Sequence, residues 1–221
     1  MKVVILIATR NKSIAVKTLH TLFNTNVYAL QHNIQTELCF VPDEPFEKVT
    51  TIIKKMKTCD RLVMLDYSVN VDVDSIAKFM SPLEKGQHCV IFPCVTSGVD
   101  WTMFKHKVRS GSKEPVEQMG LNFDTEVDKK IGNDMYTVKT TDPKVWAIDT
   151  KPVIKALKDK KGETIKLPAK NSEIFEKFQR FGVKIYAYTA ARVTVTYAHE
   201  CLGNILETAG VSRTTSTPAT A

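Results

Sequence analysis

Leu62-Val63-Met64-Leu65 is an apolar run that stops at a carboxylate, Asp66. Such a run reads as a buried parallel strand, and in open α/β sheets ligands bind beyond the carboxyl ends of the strands. Asp66 is therefore expected where a strand delivers a side chain to a site, with a cation or a sugar hydroxyl as its partner. Arg10 and Lys12, just past the first apolar run, are placed to reach a pyrophosphate, with solvated charge as the plain alternative. Asp43 can hydrogen-bond a base or a ribose, although its Pro-Asp-Glu-Pro context needs no reason beyond a turn. Asp72-Val73-Asp74 offers a second pair of hard oxygen ligands for Mn²⁺ or Mg²⁺. It ranks below Asp66, because Asp74 precedes a helical segment that needs an N-cap. Trp101 can stack on a sugar ring or pack a lid to the core. Asp149 can bind a sugar hydroxyl or cap the helix that follows it.

These residues must be positioned by elements, and the apolar spacing supplies them in alternating order. Strands are expected over Lys2 to Ala8, Ile34 to Val41, Arg61 to Val69 and His88 to Pro93, with later ones at Val145 to Ile148, Val183 to Tyr188 and Val193 to Tyr197. Helices are expected over Ser13 to Phe23 with Ser13 as N-cap, Pro45 to Lys57, Asp74 to Met80, Lys151 to Leu157 and Asn171 to Phe181, the last stopped by Gly182. Trp101 to about Asp134 is interrupted by Gly111, Pro115 and Gly120 and reads as irregular. Repeated strand-helix units predict an α/β fold with a mostly parallel central sheet flanked by helices. Residues 1–211 are expected to form one domain, with a nucleotide-binding half to about 95 and an acceptor half after it. The Ser/Thr/Pro/Ala stretch 212–221 reads as a disordered tail or a linker to further domains.

Composition narrows the classes. In 221 residues, 43% are hydrophobic and 25% charged, which suits a soluble domain with a real core, and no apolar run approaches the ~18 residues of a membrane span. The apolar start is expected to be a first buried strand rather than a signal peptide. Five cysteines form no CxxC pair, so neither a disulfide framework nor a zinc site is expected, and a reducing, cytoplasmic compartment is. The net charge of +7 comes from dispersed lysines, which suits a phosphate-bearing ligand without implying nucleic acid.

Four features in order resemble the nucleotide-sugar glycosyltransferases of the GT-A fold. Ala8-Thr9-Arg10-Asn11 is similar to the turn that holds the base and ribose of the donor. Leu65-Asp66-Tyr67-Ser68-Val69 stands at the position of that family's Asp-x-Asp motif. Trp146-Ala147-Ile148 resembles the strand that floors the acceptor side, and Asn171 to Tyr186 resembles the late helix-Gly-strand segment that carries the catalytic carboxylate. Among such enzymes the chain looks most like the small capsid-glycosylating transferases of large algal, chlorella-type DNA viruses, which would place it in a host cytoplasm. The resemblance implies transfer of a sugar from a UDP-type nucleoside-diphosphate donor to a glycan or glycoprotein acceptor, with Mn²⁺ or Mg²⁺. It implies donor contacts by Ala8, Thr9, Arg10, Lys12, Asp43, Asp66, Tyr67 and Ser68, acceptor contacts by Trp101 and Asp149, and a metal on Asp66, Ser68 and His199. The pattern is broken in two places. Ser68 replaces the second Asp, and Lys170-Asn171 replaces a Glu-Asp pair. Glu173 lies near enough to be the base, but a first-turn carboxylate favoured by the helix dipole explains it as well. With Asn171 unable to take a proton, the sequence favours retention of configuration, or else a base supplied from another loop. A non-catalytic binding module of the same fold is the competing reading.

Overall fold

The structure is a computed structural model that describes residues 1–84, 86–96, 98–158, 166–196 and 205. Strand β1 (Lys2–Thr9) is apolar at nearly every position because it is buried on both faces. It pairs in parallel with β2 (Gln35–Pro42) on one side and β3 (Arg61–Leu65) on the other. Helices α1 (Val16–Gln31) and α2 (Pro45–Met56) make the two crossovers. After β3 the chain passes through β4 (Val69–Val71) and α3 (Val73–Met80) to β5 (Cys89–Phe92), then α4 (Trp101–Arg109) and a short 3-10 turn at Val116–Gln118. The rest comprises β6 (Thr125–Gly132), β7 (Met135–Thr141), β8 (Val145–Asp149), α5 (Thr150–Leu157), α6 (Asn171–Arg180), β9 (Ile185–Tyr188) and β10 (Val193–Val195).

Among the described residues, eight strands form one sheet in the order β2-β1-β3-β8-β5-β9-β7-β6, and β10 with β4 makes a small antiparallel pair. The sheet is mixed but mostly parallel: β8 runs against β3 and β5, β7 runs against β9 and β6, and the other strands share one direction. Alternate residues of β1 feed two cores. Val3, Ile5 and Ile7 pack under α1 and α3, while Val4, Leu6 and Ala8 pack under α2, α5 and α6. Among the described residues, no helix is long and apolar enough to cross a membrane.

Several expectations are corrected. The first helix starts at Val16, not Ser13, because Asn11 and Lys12 adopt φ of 51° and 60° and form a tight turn first. Arg10 and Ser13 close that turn with reciprocal backbone hydrogen bonds of 3.1 and 3.0 Å, and the Ser13 hydroxyl donates to the Arg10 carbonyl rather than capping a helix. Asp72, not Asp74, is the N-cap residue of α3, and its side chain makes no cap hydrogen bond. The expected irregular stretch from Trp101 holds α4 and β6, the latter joined to β7 as a hairpin through Asn133-Asp134. The expected third strand ends at Leu65, so Asp66 begins a corner rather than continuing a ladder. His199 and the segment 212–221 lie outside the described residues.

Candidate active site

The corner after β3 is built around Asp66. Its backbone N–H donates to the Lys144 carbonyl at 3.0 Å, which ties the corner to the start of β8. Its Oδ1 accepts from the Ser68 N–H at 3.1 Å and the Ser68 hydroxyl at 2.8 Å, an Asx-type turn that fixes the carboxylate. Both bonds fall on Oδ1. Burial pushes the Asp66 carboxyl up from its ordinary value; the Ser68 hydrogen bonds and the Lys144 charge pull it partly back. Tyr67, between them, presents its carbonyl to the Ala15 N–H (2.8 Å) and the Thr18 hydroxyl (2.9 Å), docking the start of α1 here. Arg10 lies across the Tyr67 ring, 5.7 Å from its centroid, and donates to its hydroxyl at 2.9 Å.

In front of Asp66 lies a cavity of about 420 Å³. Ala8, Met64 and Trp146 form its sheet side; Asp43 and Lys48, residues 142–144 and residues 169–172 form its rim. Trp146 brings a buried indole N–H that has no hydrogen-bond partner among the described residues. Lys48 Nζ donates to Asp43 Oδ1 at 3.0 Å, and the Asp43 N–H donates to the Thr9 carbonyl at 3.0 Å. The Thr9 hydroxyl is spent on the Val41 carbonyl at 3.1 Å. The first turn of α6 has no side-chain cap, so its backbone N–H groups carry a partial positive charge toward this rim. Asn171 Nδ2 donates to the Pro143 carbonyl at 2.9 Å, which pins that turn to the loop before β8.

Behind Lys144 lies a second carboxylate, Asp124. Its Oδ1 accepts from the Cys94 N–H (3.0 Å) and the Thr125 hydroxyl (2.8 Å), and Oδ2 faces the Lys144 N–H at 3.4 Å. Burial outweighs these bonds and the Lys144 charge, and pushes the Asp124 carboxyl up to about 6. Lys144 Nζ reaches the Val95 carbonyl at 3.1 Å. Asp124 lines a smaller cavity of about 220 Å³, which shares Asp142 and Ser172 with the larger one.

Thus Ala8, Asp43 and Asp66 line one cavity, while Thr9, Arg10, Tyr67 and Ser68 are chain neighbours of these residues that do not line it. Lys12 stands on the turn above, outside the cavity wall. The remaining expected residues are not gathered there. Asp72 and Asp74 sit at the start of α3, with Asp74 exposed. Trp101 opens α4, is 43% exposed and packs edge-on to Phe104 at 5.7 Å. Glu173 lies just past the rim, 3.7 Å from Lys170 Nζ. Asp149 stands elsewhere: because β8 runs antiparallel, it lies at the opposite end of the sheet, where its carboxylate holds the buried Arg61 and, as N-cap residue of α5, makes no side-chain cap hydrogen bond. Lys48, Asp124, Asp142 and Lys144 were missed. Each is an isolated charge in a turn or on a helix, without periodicity to mark it.

Among the described residues, no group of three or more His, Cys, Asp or Glu side chains is placed to hold a metal ion. The Ser68 hydroxyl donates its hydrogen bond to Asp66 and is 3% exposed, so it fixes the position of the carboxylate and adds no second anionic ligand. What remains is Asp66, with Oδ2 uncommitted among the described residues. One carboxylate, waters and substrate phosphates is a donor set that suits Mg²⁺ and similar hard cations.

No protein-family model and no curated protein matches the chain. Solved structures do, at the level of the fold. A197 from STIV aligns with 14% identity over 87% of this chain and 84% of its own, at a TM-score of 0.49. GalNAc-T7, determined with UDP, GalNAc and Mn²⁺, aligns with 11% identity over 87% of this chain but only 42% of its own, at 0.48. A glycosyltransferase involved in the glycosylation of the major capsid of PBCV-1 aligns with 9% identity over 91% of this chain and 98% of its own, at 0.40. A CTP transferase stands among the matches too. These TM-scores all lie below 0.5, so the likenesses carry no function to this chain.

Proposed function

We propose that the chain is a metal-assisted glycosyltransferase that takes a sugar from a nucleoside diphosphate, UDP foremost, and passes it to a glycan or glycoprotein hydroxyl. The observation that carries this is the mixed-sign cavity at the strand ends. A held carboxylate, Asp66, faces a rim that carries Lys48, Lys144, Lys170 and an uncapped helix start. A diphosphate needs cations and backbone N–H groups, while ribose and sugar hydroxyls need carboxylates such as Asp43 and Asp142. As the glycosidic bond breaks, negative charge grows on the leaving phosphate, and groups already in place there lower the barrier. A bound Mn²⁺ or Mg²⁺ on Asp66 would neutralise that charge as a Lewis acid. Arg10 and Lys12 stand on the near turn as further candidates for the phosphates, and Arg10 is tied to the Tyr67 hydroxyl by a 2.9 Å hydrogen bond. His199 keeps its proposed place as a further metal ligand.

Against a nucleotidyltransferase, the turn after β1 is Arg10-Asn11-Lys12-Ser13 and has no glycine to let a triphosphate approach the backbone closely. The four cysteines described are all free, which suits the reducing cytoplasm proposed for the protein.

The test is calorimetry of UDP binding with and without Mn²⁺, followed by a UDP-sugar hydrolysis screen, because slow hydrolysis needs no acceptor. Metal-dependent binding with turnover is expected. Binding without turnover of any donor would favour the non-catalytic module, and binding unaffected by chelation would move the phosphate clamp to Arg10 and the lysines.

A further inference from the structure

Resting on the glycosyl-transfer reading, we propose that Asp124 is the proton acceptor that Asn171 cannot be, and that the cavity it lines receives the attacking hydroxyl. Three observations carry this. Asn171 is a neutral amide, and its Nδ2 is committed to the Pro143 carbonyl at 2.9 Å. Asp124 is a largely buried carboxylate that nonetheless opens on a cavity of about 220 Å³. That cavity shares Asp142 and Ser172 with the donor cavity, so a hydroxyl entering one is next to a sugar held in the other.

Asp124 is also held firmly enough to act. Cys94 and Thr125 donate to Oδ1, and Thr125 in turn shares a 2.8 Å hydrogen bond with Thr141, another residue of the cavity wall. Among the described residues Oδ2 meets only the long 3.4 Å approach of the Lys144 N–H, which leaves it the oxygen with capacity for a proton. The charged and titratable groups around it come from every neighbouring element. Lys144 precedes β8, Asp142 follows β7, Cys94 follows β5, and Glu176 of α6 lines the same cavity. Burial holds the Cys94 thiol well above its ordinary range, so it stays protonated and does not compete. A base near neutral pH combines the right protonation state with useful basicity.

The step balances simply. The acceptor O–H gives its proton to Asp124, and its oxygen bonds to the anomeric carbon. The bond from that carbon to the phosphate oxygen breaks, and its electron pair leaves with the nucleoside diphosphate. A single displacement of this kind inverts the configuration, so the base from another loop replaces the retaining expectation.

The experiment compares the full chain with Asp124→Asn and Thr125→Val, with UDP-glucose and other UDP-sugars as probes in Mn²⁺, following UDP release between pH 5 and 8. In the wild type the rate is expected to rise through about pH 6 to a plateau, because the unprotonated carboxylate is the active form. Asp124→Asn is expected to lose on the order of 10²-fold or more and to show no such rise, while UDP binding by calorimetry is unchanged. Thr125→Val removes a donor to Oδ1 and is expected to move the rise to higher pH; this variant decides the matter if the Asn protein does not fold. An Asn variant with wild-type rate and profile, an unmoved rise in Thr125→Val, or retained configuration in the released sugar would each overturn the assignment while leaving the donor reading intact. A wild type that neither binds UDP nor turns over any UDP-sugar would overturn both.

Discussion

Strands β3 and β8 carry charged residues at both ends of one ladder, and the two ends behave oppositely. At the amino end of β3, Arg61 is fully buried and pairs in register with Asp149. Its Nε and Nη2 donate to Asp149 Oδ1 at 2.9 and 2.6 Å, and its Nη1 donates to the Phe79 carbonyl at 3.1 Å and to the Ser81 carbonyl. This guanidinium is spent on the protein. At the other end, five residue pairs away, Asp66, Lys144 and Asp124 also make hydrogen bonds, but their remaining capacity faces two adjoining cavities. The contrast teaches that charge alone does not make a site. Uncommitted bonding capacity at the edge of a cavity does, and among the described residues the carboxyl end of the ladder has it.

The largest expected effects test this division. Asp66→Asn is expected to cut UDP-sugar turnover on the order of 10³-fold, since the amide keeps the shape but loses the charge that a metal and a diphosphate require. Its melting temperature at pH 7 should be unchanged or higher. Burial raises the Asp66 carboxyl, so the native state binds its proton more tightly than the unfolded chain does. The associated stability is present at low pH and is lost as pH rises through the folded value, so a neutral side chain avoids that loss. Asp149→Ala should do the reverse, costing about 3–5 kcal/mol by stranding a buried guanidinium. For a chain of this size that is a fall on the order of 10 °C in thermal unfolding, with UDP binding of the folded protein intact. Lost turnover with unchanged stability in Asp149→Ala would return that residue to the site.

The same contrast explains what the sequence reveals. The strands beginning at Lys2 and Arg61 are legible because both faces of each are buried, but the expected second strand runs on to Val69, past the corner that the structure places at Asp66. The direction of β8 is not legible, because Val145-Trp146-Ala147-Ile148 looks alike read either way. That one reversal brings Lys144 beside Asp66 and carries Asp149 to the far end. The β6 strand escaped because Thr125 to Gly132 is exposed along nearly its whole length, so no buried face imposes an alternation on it. Asp124 has no local signature at all. Its role comes from Cys94 and Lys144, which are 30 and 20 residues away.

A smaller effect sharpens the assignment of the base. Glu173→Gln is expected to change UDP-sugar turnover by less than about threefold, since Glu173 lies outside the cavity walls and faces Lys170 at 3.7 Å. A loss on the order of 10²-fold would transfer the proton acceptor from Asp124 to the first turn of α6. Initial rates at saturating donor separate the two, because a surface carboxylate that merely tunes Lys170 should alter KM more than kcat.

The smallest expected effect is Asp74→Asn, and its smallness is informative. Asp72-Val73-Asp74 is a literal Asp-x-Asp, yet it opens α3 on the side of the sheet where β4 meets β10, and neither carboxylate lines the cavity. Asp74 is exposed in the first turn, where a carboxylate gains a few tenths of a kcal/mol from the helix dipole, roughly 0.3–1 at most. Replacing it with Asn removes that charge while leaving a small polar side chain that the start of a helix tolerates. Stability should shift by no more than about 1 kcal/mol, metal-dependent UDP binding should be unchanged, and turnover should stay within about twofold of the wild type. The pair with Asp66→Asn is the decisive comparison. If Asp74→Asn abolishes metal-dependent UDP binding while Asp66→Asn retains it, the motif read from spacing alone is the site, and the corner after β3 is only a well-fastened turn.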